Sequence, residues 1–209
     1  AEENGSRIHT NSWGSSDYGA YTTGSAQIDQ GARKHDDIVV LFAAGNDGED
    51  TSPSDGEVDL DSLGSPATAK NSITIGASEN YRPVYGARAD NFSGMADFSS
   101  RGPTDDGRTK PDFVAPGTFV LSTFSRSAAT NACSDVINAS YCHMSGTSMA
   151  TPIAAGATAL LLEHLIENRG VANPSSALIK AIYGATSHDM IGQYSSPTNG
   201  AGETVPNPH

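Results

Sequence analysis

Short apolar runs in this chain are set between long polar stretches rich in Gly, Ser and Thr. Asp37 to Ala44 reads DIVVLFAA and stops at Gly45-Asn46. An unbroken apolar, β-branched run of this length predicts a strand covered on both faces, as in the interior of a parallel sheet. Ser25 to Lys34, just before it, has helical composition and closes on basic residues, which suit the negative end of a helix dipole. Ser72 to Ala77 (SITIGA) and Thr118 to Phe124 (TFVLSTF) repeat the strand signal between loops of Gly, Pro and Ser. Strand and helix alternate, which predicts an α/β fold. The longest helical signal runs from Ser148 to Asn168, with Pro152 in the first turn, where a missing N–H costs little, and Gly170 just past the end. Its first half, ATPIAAGATA, has no polar face to offer water. That predicts a helix buried in the domain centre, with neighbours packed close against Gly156 and the alanines. A last helix is expected from Pro174 to Tyr183, and Tyr194 to His209 reads as irregular.

Length and charge narrow the setting. The 209 residues suit one domain. With 12 basic against 24 acidic side chains the formal charge is -12, which disfavours nucleic acid or an anionic membrane as partner. The longest apolar stretches, such as Ile38 to Ala44 and Ile153 to Leu162, fall well short of the roughly 20 residues that span a bilayer, so no membrane span is expected. Between Glu49 and Asp61 stand Glu49, Asp50, Asp55, Glu57, Asp59 and Asp61 with no Lys or Arg. Alternate carboxylates are the oxygen donors calcium uses, yet the EF-hand spacing fails for want of a sixth Gly and a twelfth Glu. A solvated acidic loop is the commoner outcome; a structural calcium ion stays open, and no cofactor is expected for chemistry. Cys133 and Cys142, with eight residues between them, predict a hairpin disulfide and an oxidising, secreted or extracellular setting. Two free thiols in a reducing compartment are the alternative.

The segment that carries chemistry is Met144 to Pro152, MSGTSMATP, where Ser148 stands at the mouth of the apolar helix. Backbone N–H groups in a first helical turn lack intrahelical acceptors and lie at the positive end of the dipole, so an oxyanion formed beside Ser148 would meet ready donors. Taken alone, a serine at a helix start is more often a plain N-cap.

Four segments together change that weighting. Gly146-Thr147-Ser148-Met149-Ala150-Thr151-Pro152 resembles the nucleophile signature of the subtilase family. Phe42-Ala43-Ala44-Gly45-Asn46 resembles its oxyanion segment, and Asn11-Ser12-Trp13-Gly14 its substrate-binding strand. Phe98 to Pro103, with Lys110-Pro111-Asp112 and Ala115-Pro116-Gly117, is similar to a scaffold signature of the same family. The motifs stand in family order and cover the chain from Ile8 to about Ala185. The opening Arg7 to Gly14, with Arg82-Pro83 and Asn168-Arg169-Gly170, is most similar to the alkaline bacterial branch whose members carry a β-sandwich after the catalytic domain.

The resemblance implies a subtilisin-like three-layer α/β/α fold with a mainly parallel central sheet. It also implies a serine endopeptidase of broad specificity acting on protein or peptide substrates. Ser148 would be the nucleophile and Asn46 the oxyanion donor. Ser12, Trp13 and Gly14 would bind substrate as an added strand, while Ala43, Ala44 and Gly45 would line a primary pocket with room for a large apolar residue. The family's Asp-(Ser/Thr)-Gly and His-Gly-Thr-His motifs do not occur, and none of His9, His35, His143, His164, His188 or His209 stands in a matching motif. Residues 1–209 are therefore expected to be the C-terminal two-thirds of a single catalytic domain, incomplete at both ends. An upstream segment would supply Asp and His, and the piece alone would be inactive. A non-catalytic pseudoprotease or binding fragment is one alternative. An α/β-hydrolase using Asp189 and His209 is another, and its Gly-x-Ser-x-Gly elbow fails at Ala150.

Overall fold

A computed structural model describes residues 5–125, 127, 133–190, 198 and 201–204. Of the expected irregular segment Tyr194 to His209, only 198 and 201–204 are among them. Four parallel strands, β1 (Ile8–Asn11), β2 (Val39–Ala43), β3 (Ile73–Ser78) and β4 (Phe113–Pro116), form one sheet in the order β1-β2-β3-β4. Helix α1 (Thr23–Lys34) is the crossover from β1 to β2. Every residue of β3 is buried, as are Val39, Leu41 and Phe42 of β2, so the two apolar runs are the sheet's middle strands. For β2 that is the burial an apolar run without alternation calls for, and in β3 the small or short residues Thr74, Gly76 and Ser78 are buried on the second face.

Helix α2 (Thr147–Glu163) lies on this sheet and touches all four strands, then continues as a π-helical turn, His164–Asn168. Its inner face, Ala150, Ala154, Ala155 and Leu162, packs with Val39, Leu41, Ile73, Ile75 and Ala77 into the main core, which Ile179 of α3 (Ser176–Thr186) completes. Helix α3 starts where Ser175 Oγ accepts the Leu178 N–H at 3.2 Å.

Two expectations need correcting, and one is met with a pairing the sequence left open. The run at Thr118 to Phe124 forms a strand as expected, β5 (Val120–Thr123), outside the parallel set. It pairs antiparallel with β7 (Tyr141–Met144), which also pairs with the short β6 (Asp135–Val136), in a separate sheet of order β5-β7-β6. The fourth parallel strand comes instead from Phe113–Pro116, where pairing with β3 overrides weak local signal.

Helix α2 is not enclosed all round. Ile153 and Leu160 are 39% and 68% exposed, and a side chain added at Gly156 would meet nothing within 4 Å. The sheet covers one side of the helix and α3 adds Tyr183, whose hydroxyl meets Thr158 Oγ1 at 2.7 Å, while Ile153, Gly156 and Leu160 stay exposed. Finally, Thr147–Asn168 is by length and composition apolar enough to cross a membrane. The expectation of no such segment counted uninterrupted apolar runs, whereas Thr, Gly and the two glutamates Glu163 and Glu167 interrupt this helix without making it polar.

Candidate active site

The C-terminal ends of β1 and β2 and the start of α2 meet at one edge of the sheet, where open α/β sheets bind ligands. β2 ends at Ala43 and the chain turns through Gly45 and Asn46, while β7 leads through Ser145 and Gly146 into α2. Gly146 is the N-cap residue with φ +151°, a backbone that L side chains rarely adopt, and it supplies no side-chain cap. Ser148 is thus the second residue inside the helix and not its cap. The ordinary reading of a serine at a helix start does not hold here.

Asn46 takes over the missing cap. Its Oδ1 accepts the Thr147 N–H at 2.9 Å and faces the Thr147 hydroxyl at 3.0 Å. A backbone N–H can only donate, so the atom facing it must be the amide oxygen, and Nδ2 must point the other way. The Thr147 hydroxyl also accepts the Gly45 N–H at 3.3 Å. Thr147 is buried, so this bond fixes the amide from inside the protein. Among the described residues neither Asn46 Nδ2 nor the Ser148 N–H has a hydrogen-bond partner. Two donors at a helix N-terminus beside a serine hydroxyl can receive the oxygen of a tetrahedral intermediate.

Ser148 is half-buried, and its Oγ donates to the Ser12 carbonyl at 3.5 Å while Ser12 Oγ donates to the Ser148 carbonyl at 3.0 Å. This reciprocal pair ties the nucleophile to the chain leaving β1. Trp13 stacks edge-on against buried Phe42, with ring centroids 5.4 Å apart, and its Nε1 donates to Asn11 Oδ1 at 3.2 Å. Trp13 and Gly14 make no backbone hydrogen bonds among the described residues, so their N–H and C=O groups remain for an extended peptide.

A cavity of about 250 Å³ opens beside Ser148. The sequence-predicted residues Ser12, Trp13, Gly14, Ala43, Ala44, Gly45 and Asn46 all line it. Sequence reasoning missed Gly64, Thr147, Asp47, Ser15 and Ser16, which line it as well. Gly64 enters because Ser15 and Ser65 pair as an antiparallel bridge and the Gly64 N–H donates to Ala44 O at 3.1 Å; only the Gly-Ser-Pro turn at 64–66 hinted at it. Thr147 and Asp47 adjoin predicted residues and could have been included by position alone.

A larger cleft, about 570 Å³, lies at the acidic loop, and neither Ser148 nor Asn46 lines it. Asp50 there accepts the Asp55 and Gly56 N–H groups at 2.8 and 2.7 Å, and Asp59 accepts from Thr51 and Ser52, so these carboxylates hold the loop's own backbone. Among the described residues no three His, Cys, Asp or Glu side chains converge to hold a metal ion. The disulfide between Cys133 and Cys142 is formed and ties the chain two residues before β6 to β7, the strand that leads into α2. β7 belongs to the antiparallel sheet, so the parallel strand and elbow of an α/β-hydrolase do not precede Ser148.

The histidines lie elsewhere. His9 contacts Asn11 in β1, His143 is buried against Tyr85, His164 contacts Arg169 and His188 contacts Ser93, while His35 caps α1. None of these is bonded to Ser148, and His209 is outside the described residues.

The protein resembles several whose chemistry is named. It is 40% identical over 128 residues to the serine protease AprX of Bacillus subtilis, covering 60% of this chain and 26% of that protein. It is 28% identical over 261 residues to the serine protease/ABC transporter B family protein tagD of Dictyostelium discoideum, covering 85% of this chain and 14% of that one. The solved prenylagaramide maturation protease PagA superposes with a TM-score of 0.62 at 25% identity, over 90% of this chain and 54% of PagA. The chain thus spans about half of that structure and far less of the two relatives. The Subtilase family model matches residues 1–204, nearly the whole length over which the strand ends, the Asn46 turn and the Ser148 helix are arranged. On that match the chain belongs to the subtilase family of serine peptidases.

Proposed function

We propose that this chain is the nucleophile-bearing part of a secreted serine endopeptidase that works through an acyl-enzyme on Ser148. The observation that carries the reading is the pairing of Asn46 with Thr147, which fixes the amide so that its NH2 faces outward beside the free Ser148 N–H. Ser148 Oγ attacks the peptide carbonyl and gives its proton to a base; the carbonyl oxygen, now negative, is held by Asn46 Nδ2 and the Ser148 N–H. The amine leaves with the proton, and water repeats the sequence on the ester. No described histidine is bonded to Ser148, so the base and the carboxylate that orients it belong, on this reading, to residues of the parent protein outside these 209. Substrate pairs as a strand along Trp13-Gly14, so main-chain hydrogen bonds give affinity with broad side-chain tolerance. The residue before the scissile bond enters the cavity between Trp13 and Ala43-Ala44. The disulfide supports an oxidising compartment.

The test is labelling of the full-length parent by a fluorophosphonate probe. Label on Ser148, lost in Ser148→Ala, supports the reading. Label on another serine, or a folded protein that takes no label and cleaves no casein, overturns it in favour of a binding fragment. The 209-residue chain alone should cleave peptides no faster than the thousandfold to ten-thousandfold over water that remains, in order of magnitude, when triad members are lost; that scale comes from family relatives.

A further inference from the structure

From the packing around the Asn46 turn we infer that Ser100 is a positioning residue for turnover, acting through Asn46 although 54 positions separate the two in the chain. The inference rests on the reading of Asn46 as oxyanion donor. Ser100 is fully buried, and it brackets Asn46 from both sides. Its N–H donates to the Gly45 carbonyl at 3.0 Å, and its Oγ accepts the Asp47 N–H at 3.0 Å. The two residues flanking Asn46 are therefore held by one side chain and its own backbone.

The fit at this contact is close. Gly45 has φ +115°, and a Cβ built there would lie 2.6 Å from Ser100 Oγ, so the turn and the serine are shaped to each other. Thr147 fixes the amide of Asn46 through its side-chain oxygen, but nothing in that bond fixes where the Asn46 Cα sits. Ser100 does so from the opposite side of the turn. An oxyanion donor is effective only when held in place before charge develops, because a dipole that must reorient during the reaction gives up the benefit of preorganisation.

Ser100 is itself anchored. Arg101, buried beside it, donates from Nη1 to the Asp97 and Ser99 carbonyls at 3.1 and 3.2 Å and from Nη2 to the Ala96 carbonyl at 3.3 Å. Its own N–H donates to Ser62 Oγ at 2.9 Å. Burial pushes the Arg101 guanidinium down to about 10, which leaves it charged at neutral pH, so the clamp is cationic and persistent. The Gly48 N–H donates to the Phe98 carbonyl at 3.0 Å, which joins the same segment to the far end of the turn. Ser100 thus transmits the rigidity of residues 96–101 to the one side-chain donor of the oxyanion site.

The experiment is a double-mutant cycle in the full-length parent with Ser100→Ala, Asn46→Ala and the pair, reading kcat, KM and Tm. Ser100→Ala should lower kcat by about tenfold with KM within about twofold of the parent. In the Asn46→Ala background the same change should have almost no further effect, because the group it positions is gone. Equal loss of kcat in both backgrounds, or a lowered Tm with kcat unchanged, overturns the inference. If Ser100→Ala fails to fold, Ser100→Cys serves in its place. Its sulfur is a weak acceptor of nearly the same shape, and it should show a smaller loss of kcat that likewise vanishes without Asn46. Should Asn46→Ala itself leave kcat at the parent's value, the oxyanion reading fails first, and the two failures are told apart.

Discussion

Replacing Asn46 separates catalysis from folding, because its side chain does two jobs with two different atoms. Asn46→Ala removes Nδ2, the proposed oxyanion donor, and Oδ1, which accepts from Thr147 at 2.9 and 3.0 Å. Loss of an oxyanion donor lowers turnover by about a hundredfold to a thousandfold, some 2.7 to 4 kcal/mol; that scale was set on subtilisin itself and is borrowed from the family. The stability cost follows from the structure. Two hydrogen bonds at about 0.5 to 1.5 kcal/mol each are lost, and the exposed position lets water replace part of them, so about 1 to 2 kcal/mol is expected. Asn46→Asp breaks the two effects apart. Its carboxylate still accepts from the Thr147 N–H and suits the positive end of α2, so stability should equal or exceed the parent's. It has no donor, and its charge opposes the oxyanion, so turnover should fall at least as far as in the alanine variant. The assay is hydrolysis of a chromogenic peptide by the full-length protein, with kcat and KM separated and Tm measured on the same preparations. An aspartate variant that keeps parental turnover would refute the argument, as would an alanine variant that loses stability alone.

Three further outcomes are expected. Replacing Cys133 and Cys142 together by Ser should cost about 2.5 to 3 kcal/mol on the chain-entropy account of a short ring, read from a denaturant midpoint; an unchanged midpoint would show that β6 and β7 need no bridge. Lys110 is buried, donating to Asp112 Oδ2 at 2.6 Å and Thr74 Oγ1 at 2.9 Å, and burial pushes its ammonium down to about 8 against the upward pull of Asp112. Between about pH 8 and the ordinary 10.5 the folded chain binds fewer protons there than the unfolded one, so this site adds stability as pH rises through that window and is flat below it. The stability of the parent minus that of Lys110→Met should therefore climb over that range, and a difference that falls would contradict the sign. Asp47 lines the cavity, and among the described residues Ser16 alone donates to its carboxylate, at 3.5 Å, so Asp47→Asn should raise kcat/KM for a substrate with Glu before the scissile bond by about threefold to tenfold, with a Phe substrate unaffected. Equal effects on both substrates would place that residue's side chain outside the cavity.

Along the chain, the elements that rest on their own composition were legible. Val39–Ala43 is apolar on both faces and could be little else than an interior strand, Ile73–Ser78 carries apolar residues on one face and small or short ones on the other, and α1, α2 and α3 lie within a few residues of their patterns. The motif around Ser148 and the strand end at Asn46 could be read because local sequence there is dictated by backbone geometry, a glycine at φ +151° before the helix and another at φ +115° before the asparagine. What needed the tertiary structure is whatever depends on a partner far along the chain. Val120–Thr123 carries a strand signal, but its antiparallel partner is β7, some 20 residues on. Gly64 reaches the cavity only through pairing of Ser15 with Ser65. Thr147, which adjoins the serine, draws its role from Asn46, 101 positions away, and Ser100 from Gly45 and Asp47. A hydrogen bond needs a donor and an acceptor within about 3 Å; sequence states which groups exist, and folding alone decides which of them meet.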